Sequence, residues 1–227
     1  MNVKLRQLGV VSLLSMLCAV STDARQVDRG LCPPQPIRFA HYEMGALYTR
    51  DHGGIDEDVV QALRKRSGCA FTITVLPRAR SWYDVEQGNI DMLASGVATQ
   101  DREKFAWFAP YLIDKKYVIL GAAVPQHIET MDQFIAAPKL VMGGVRSFKY
   151  SPMYDALIER LEATGRLEQV GDLDTLYRMF SHSRFDATIA SPLAYRYYFR
   201  RYPPPDHDHA GSGRGRRRSP RRAGRAA

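Results

Sequence analysis

Ile37-Arg38-Phe39-Ala40-His41-Tyr42, then Phe71-Thr72-Ile73-Thr74-Val75-Leu76, then Ile90-Asp91-Met92-Leu93-Ala94: these three short apolar runs decide the fold. Between the first two, Ile55, Val59, Ala62 and Leu63 recur at helical spacing over Ile55–Arg66, and Gly68 closes that helix. Pro77 stops the second run, a helix follows from Ala79 to Glu86, and Gly88 ends it. Strand, helix, strand, helix, strand predicts a parallel sheet with right-handed crossovers. Ligands on such sheets sit beyond the carboxyl ends of the strands, which here means the loops opening at Tyr42, Pro77 and Ser95.

The pattern then restarts. Tyr117–Gly121 reads as a strand, Met131–Ile135 as a helix, and Lys139–Met142 as a strand ended by Gly143-Gly144. A helix at Met153–Ala163, a strand at Leu167–Val170, a helix at Thr175–Ser181 and a strand at Ala187–Ala190 complete a second α/β set. Two lobes are therefore expected, residues 25–120 and 121–199, with a cleft between them that can close on a small molecule.

The two ends differ from this body. Lys4 and Arg6, the thirteen uncharged residues Leu8–Val20, and the small residues Ser21, Thr22 and Ala24 follow the plan of a secretory signal peptide over residues 1–24. Thirteen residues are too few to span a bilayer comfortably, so a soluble exported chain is expected. Net charge is +8, but nine arginines against two aspartates lie from Arg200 onward and the first 24 residues hold one net positive charge, leaving residues 25–199 neutral. A neutral body does not look like a phosphate-binding surface, and no nucleic-acid partner is expected. The Pro-, Gly- and Arg-rich stretch 200–227 lacks apolar periodicity and is expected to be disordered, either as a basic arm or without a specific role.

With the leader removed, Cys32 and Cys69 remain, and each precedes a predicted strand. In an oxidising compartment they form a disulfide or stay as two buried thiols; spacing alone leaves both open. No nucleophile with its base, no metal set and no paired carboxylates recommend catalysis, and neither a metal nor a cofactor is expected. His207 and His209 alternate with Asp206 and Asp208, but lack the surroundings that a metal site needs.

Four segments in order, Gly54-Ile55-Asp56-Glu57-Asp58-Val59-Val60, Gly88-Asn89-Ile90-Asp91, Thr99-Gln100-Asp101-Arg102 and Phe105-Ala106-Trp107-Phe108-Ala109-Pro110-Tyr111, resemble the bacterial extracellular solute-binding protein family 3. Gly143-Gly144-Val145-Arg146-Ser147-Phe148 and Phe185-Asp186-Ala187-Thr188-Ile189-Ala190 agree more loosely, so the resemblance covers Ile37–Phe199. It implies the two-lobed periplasmic-binding-protein fold of type II, and a monomer that captures a small polar solute in the periplasm for an ABC-type permease. The resemblance makes Arg102 the clamp for a ligand carboxylate, with Ser95 and Gly96 beside it, Val97 standing where a hydroxyl is usual, and Ser191 where an acid would grip an ammonium. Arg146, Ser147 and Phe148 follow the glycine pair, where free backbone N–H groups could hold an anion. Tyr42, Glu43, Arg78 and Arg80 fall at the predicted mouth: Tyr42 for stacking or packing, Glu43 as a substitute acid or a solvated one, the arginines as ligand partners or a charged helix start. Trp107, Phe108 and Tyr111 read as core and lobe-closing aromatics.

Relatives of this kind continue past Ala187–Ala190 with a further crossing strand and helices that return to the first lobe, whereas here Pro203-Pro204-Pro205 and the Arg-rich tail follow. A truncation or frame change is the expectation, with apolar surface uncovered and stability reduced. Two other readings stand beside the binding protein: a dehydratase-like enzyme on the same fold, and a truncated relative without function.

Overall fold

The computed structural model describes residues 32–204 and 222–223. The expected leader, most of the Arg-rich tail, and His207 and His209 lie outside the described residues.

The first lobe is a three-stranded parallel sheet in the order β2-β1-β3, formed by β1 (Ile37–His41), β2 (Phe71–Val75) and β3 (Met92–Leu93). Ile37 aligns with Phe71, and Phe39 with Met92. Helix α1 (Ile55–Ser67) carries Asp56, Glu57 and Asp58 in its first turn and Arg64, Lys65 and Arg66 in its last, matching both ends of the helix dipole. Gly68, at φ 71°, turns its N–H back to the Arg64 carbonyl. Helix α2 (Arg78–Glu86) begins directly after Pro77. Phe39, Val60, Phe71 and Ala94 form the buried core of this lobe. Cys32 and Cys69 are disulfide-bonded, with Cα atoms 5.3 Å apart, and tie the entry of β1 to the entry of β2.

The second sheet has five strands in the order β6-β5-β7-β4-β8. They are β4 (Tyr117–Leu120), β5 (Met142–Val145), β6 (Leu167–Val170), β7 (Ala187–Ala190) and the two-residue β8 (Arg222–Ala223), joined by α3 (Met131–Ala136), α4 (Pro152–Ala163), α5 (Leu173–Ser181) and α6 (Pro192–Arg201). β5 runs parallel to β6 and β7, while β4 runs antiparallel to β7 and β8. Alternation along β4 sorts its two faces. Val118 and Leu120 join Phe134 of α3 and Leu157 and Leu161 of α4, whereas Ile119 joins Leu176, Tyr177 and Phe180 of α5 and Tyr198 of α6.

Several elements differ from expectation. β4 was placed in the first lobe, yet it pairs with β7 over its full length, so the crossing between lobes precedes Tyr117. β5 is shifted from Lys139–Met142 to Met142–Val145. Gly143 and Gly144 therefore lie inside the ladder, not in a free turn, and a side chain at Gly143 would overlap the Phe185 ring. α6 was not anticipated. Its aromatic run Tyr195, Tyr197, Tyr198 and Phe199 has strand-like composition, but Ser191 caps it and Pro192 opens it. Of the stretch expected to be disordered, Arg200 and Arg201 close α6, and Arg222–Ala223 adds a strand beside β4.

α6 also docks on the first lobe. The Ala46 N–H donates to the Leu193 carbonyl at 2.9 Å. Tyr42, Met44 and Leu47 share one apolar cluster with α5 and α6. Among the described residues, no helix is long and apolar enough to cross a membrane.

Candidate ligand-binding site

A cavity of about 600 Å³ lies between the lobes. Its walls are the end of β3 and the turn after it (Ser95–Ala98), the crossing segment (Phe108–Tyr117), the loop after β5 into α4 (Phe148–Tyr154), and Arg78 at the start of α2.

Arg78 is 3% exposed. Its guanidinium carbon lies over two rings, 4.5 Å from the Tyr42 centroid and 4.2 Å from that of Phe148. Nε reaches the Ser147 carbonyl at 3.5 Å, and Nη1 is buried with no hydrogen-bond acceptor. A buried N–H of a charged group without an acceptor costs about 1–3 kcal/mol or more. Arg102 lies behind it, 7% exposed and 3.8 Å over the Trp82 ring. It donates from Nη1 to the Val97 carbonyl at 3.0 Å and from Nη2 to the Ser147 carbonyl at 2.7 Å. Burial, then the neighbouring charge of Arg78, pushes its pKa down to about 10. Neither guanidinium forms an ion pair among the described residues. Ser147, at φ 63°, holds the left-handed backbone that an L side chain disfavours by about 1–2 kcal/mol, and its carbonyl meets both arginines across the cleft.

A second network braces the wall. Asp56, in the first turn of α1, is 2% exposed and accepts from Ser95 Oγ at 2.7 Å and from the Tyr111 hydroxyl at 2.6 Å. Burial raises the Asp56 pKa against the pull of those two hydroxyls. Burial and Asp56 together raise that of Tyr111, so its hydroxyl stays a donor. The Ser95 carbonyl accepts from the Tyr42 hydroxyl at 2.6 Å, and the Ser95 N–H donates to the Tyr111 oxygen at 2.7 Å. On the crossing segment, Lys116 and Asp114 pair at 2.5 Å.

The sequence matches no protein-family model and no curated protein sequence. Solved structures do match. An ancestral arginine-binding protein bound to arginine superposes with a TM-score of 0.61 at 15% identity, over 74% of this chain and 75% of that one. The ancestral amino-acid-binding protein AncCDT-1, a precursor of cyclohexadienyl dehydratase, gives 0.59 at 17% identity over 72% and 74%. A histidine kinase sensor domain with similarity to periplasmic binding proteins gives 0.61 at 12% identity over 74% and 72%. The chain has a two-lobed periplasmic-binding-protein fold.

Within that fold the expected residues divide. Arg78, Ser95, Gly96 and Phe148 line the cavity, with Tyr42 and Ser147 directly behind them. Gly96 stands where a side chain would press on the Trp82 ring at 3.3 Å. Arg102, expected to clamp a ligand, is not part of the lining, and two backbone carbonyls occupy it. Ser95, expected to offer its hydroxyl, gives it to Asp56. Glu43 is exposed and accepts only the Arg50 N–H at 3.4 Å, because the chain turns it outward. Arg146 is exposed and folds onto the Gln169 carbonyl at 3.0 Å. Ser191 is buried as the α6 cap, its Oγ accepting from the Ala194 N–H at 3.2 Å. Arg80 pairs with Asp84 at 2.6 Å on the surface of α2. Sequence reasoning missed Asp56 and Tyr111, although both sit inside quoted segments: a helix-start acid and an aromatic carry no mark of partnership at 55 residues' separation.

Proposed function

We propose that this chain is an exported binding protein that captures a small carboxylate-bearing solute between its lobes and hands it to a membrane permease. Arg78 carries the reading: a buried guanidinium, stacked between Tyr42 and Phe148, with Nη1 unpartnered at the wall of an interlobe cavity. The planar fork suits a carboxylate, and the two rings hold it at the cavity wall. The resemblance of the fold to an arginine-bound binding protein supports a solute role. The leader-like residues 1–24 and the Cys32–Cys69 disulfide support an oxidising compartment outside the cytoplasm. Binding is favoured over turnover because Asp114, in the wall, is paired with Lys116, and Asp56, hydrogen-bonded to the lining residues Ser95 and Tyr111, has both oxygens engaged by their hydroxyls.

Calorimetric titration of the secreted chain with small carboxylic acids and their primary amides tests this. Acids should bind and amides should not, and a ligand at a hundredfold its Kd should add about 2.7 kcal/mol to stability. Arg78→Met should abolish binding while the variant still melts cooperatively. Equal binding of acid and amide, or full binding by the variant, would contradict the assignment.

A further inference from the structure

We infer that the solute is a short dicarboxylate without an ammonium group. This inference rests on the assignment of Arg78 as the carboxylate anchor. The cavity lining holds Arg78, Lys115, Lys116 and Lys149 against a single acid, Asp114. Lys116 already neutralises that acid, and both side chains of the pair are mostly buried, at 16% and 14% exposure. Three cations remain in the wall, since among the described residues Arg78, Lys115 and Lys149 make no ion pair. Arg102, directly behind, adds a fourth positive charge that makes no ion pair among the described residues. One ligand carboxylate satisfies Arg78 and leaves the lysines to a second.

The same wall offers an ammonium no unengaged carboxylate. Both Asp56 oxygens already accept from hydroxyls, of Ser95 and Tyr111. The backbone acceptors nearest the anchor are taken as well: the Ser95 carbonyl by Tyr42, the Val97 carbonyl by Arg102, and the Ser147 carbonyl by both arginines. An α-amino group would enter a field of like charge with no partner, a penalty that discriminates by repulsion. Met44, Leu47, Phe108 and Met153 supply apolar surface for the methylenes between two carboxylates. Inorganic phosphate would leave that surface uncovered, and its tetrahedral oxygens match a flat, ring-clamped guanidinium edge less well than a planar carboxylate does.

Titration of the full secreted chain with succinate, glutarate, aspartate, glutamate, arginine, butyrate and inorganic phosphate reads this directly. Succinate or glutarate should bind about tenfold or more tightly than its 2-amino counterpart, aspartate or glutamate. In the Lys115→Met/Lys149→Met double variant, with Lys115 exposed and Lys149 half-buried, dicarboxylate affinity should fall about tenfold while butyrate stays within about twofold. Aspartate or glutamate binding as tightly as its unaminated parent overturns the inference, as does phosphate or arginine as the tightest ligand. If arginine or glutamate binds through Arg78 and succinate does not, the carboxylate anchor stands and the dicarboxylate assignment falls. If no carboxylate binds, both fall.

Discussion

Replacing Arg166 with methionine should cost the second lobe about 3 kcal/mol without touching the cavity, a figure that combines two strong bonds with the relief of a buried charge. Arg166 is 9% exposed and closes the end of α3. Its Nη1 donates to the Ala137 carbonyl at 2.6 Å and its Nη2 to the Ile135 carbonyl at 2.7 Å, with longer bonds to the Phe134 and Leu140 carbonyls at 3.4 Å. Phe134 and Ile135 belong to the last turn of α3, where a helix leaves its carbonyls short of intrahelical donors, and Ala137 and Leu140 follow it. Two short charge-assisted bonds are worth about 1.5–3 kcal/mol each, and removing an uncompensated buried charge returns part of that. Methionine keeps the apolar stem, so the loss reports the hydrogen bonds. For a chain of this size about 3 kcal/mol corresponds to a fall in Tm of about 6–12 °C by circular dichroism. Amide hydrogen exchange should accelerate first in α3 and the turn to β5. Arg166→Lys should recover less than half the loss, because one ammonium cannot reach carbonyls on both sides. A Tm within about 2 °C of the parent for Arg166→Met would refute the reasoning.

Three further outcomes follow from other contacts. Gly143→Ala places a methyl group in the Phe185 ring and should destabilise by about 1–3 kcal/mol, with partial rescue by Phe185→Leu in thermal melts. Removing the Cys32–Cys69 bond, which closes a separation of 37 residues, should lower stability by about 3–5 kcal/mol, read as a shift in denaturant midpoint for Cys32→Ser/Cys69→Ser. Burial lowers the His41 pKa despite Glu57 and Asp56 nearby, so the folded chain refuses a proton that the unfolded chain accepts below about pH 6.5. Stability present above that pH should therefore drain away as pH falls toward the folded pKa, and His41→Gln should flatten this slope in urea melts across about pH 5–7.5.

Most of the scaffold was legible because local signals agreed with it. Ile55–Ser67 and Ala187–Ala190 announce themselves through periodicity and flanking Gly or charged residues. Tertiary contacts override local signals elsewhere. The glycines of β5 look like a turn until the Phe185 ring explains the missing side chain at Gly143, and the Leu140 carbonyl, expected in the strand, accepts from Arg166 instead. The site was half legible. Arg78, Ser95 and Phe148 follow from the rule that strand ends carry function, but the roles of the two arginines do not. Which guanidinium meets the cavity depends on the Ser147 and Val97 carbonyls that occupy Arg102, and carbonyl direction has no sequence signature. Ser191 and Glu43 fail for a related reason: one residue's worth of turning decides whether a side chain caps a helix, faces water or faces the cleft.

Ser147 has a kinetic meaning. Its carbonyl bridges first-lobe arginines from the second lobe, so separating the lobes breaks a charge-assisted bond at 2.7 Å. Under the proposed binding role, that bond adds to the barrier for opening and slows exchange below what electrostatic attraction to the positive wall alone would give. The same bond re-forms over an occupied cavity and lengthens the residence time of what is inside. The backbone oxygen of one strained serine thus acts on the clock of exchange, through how long the molecule stays shut.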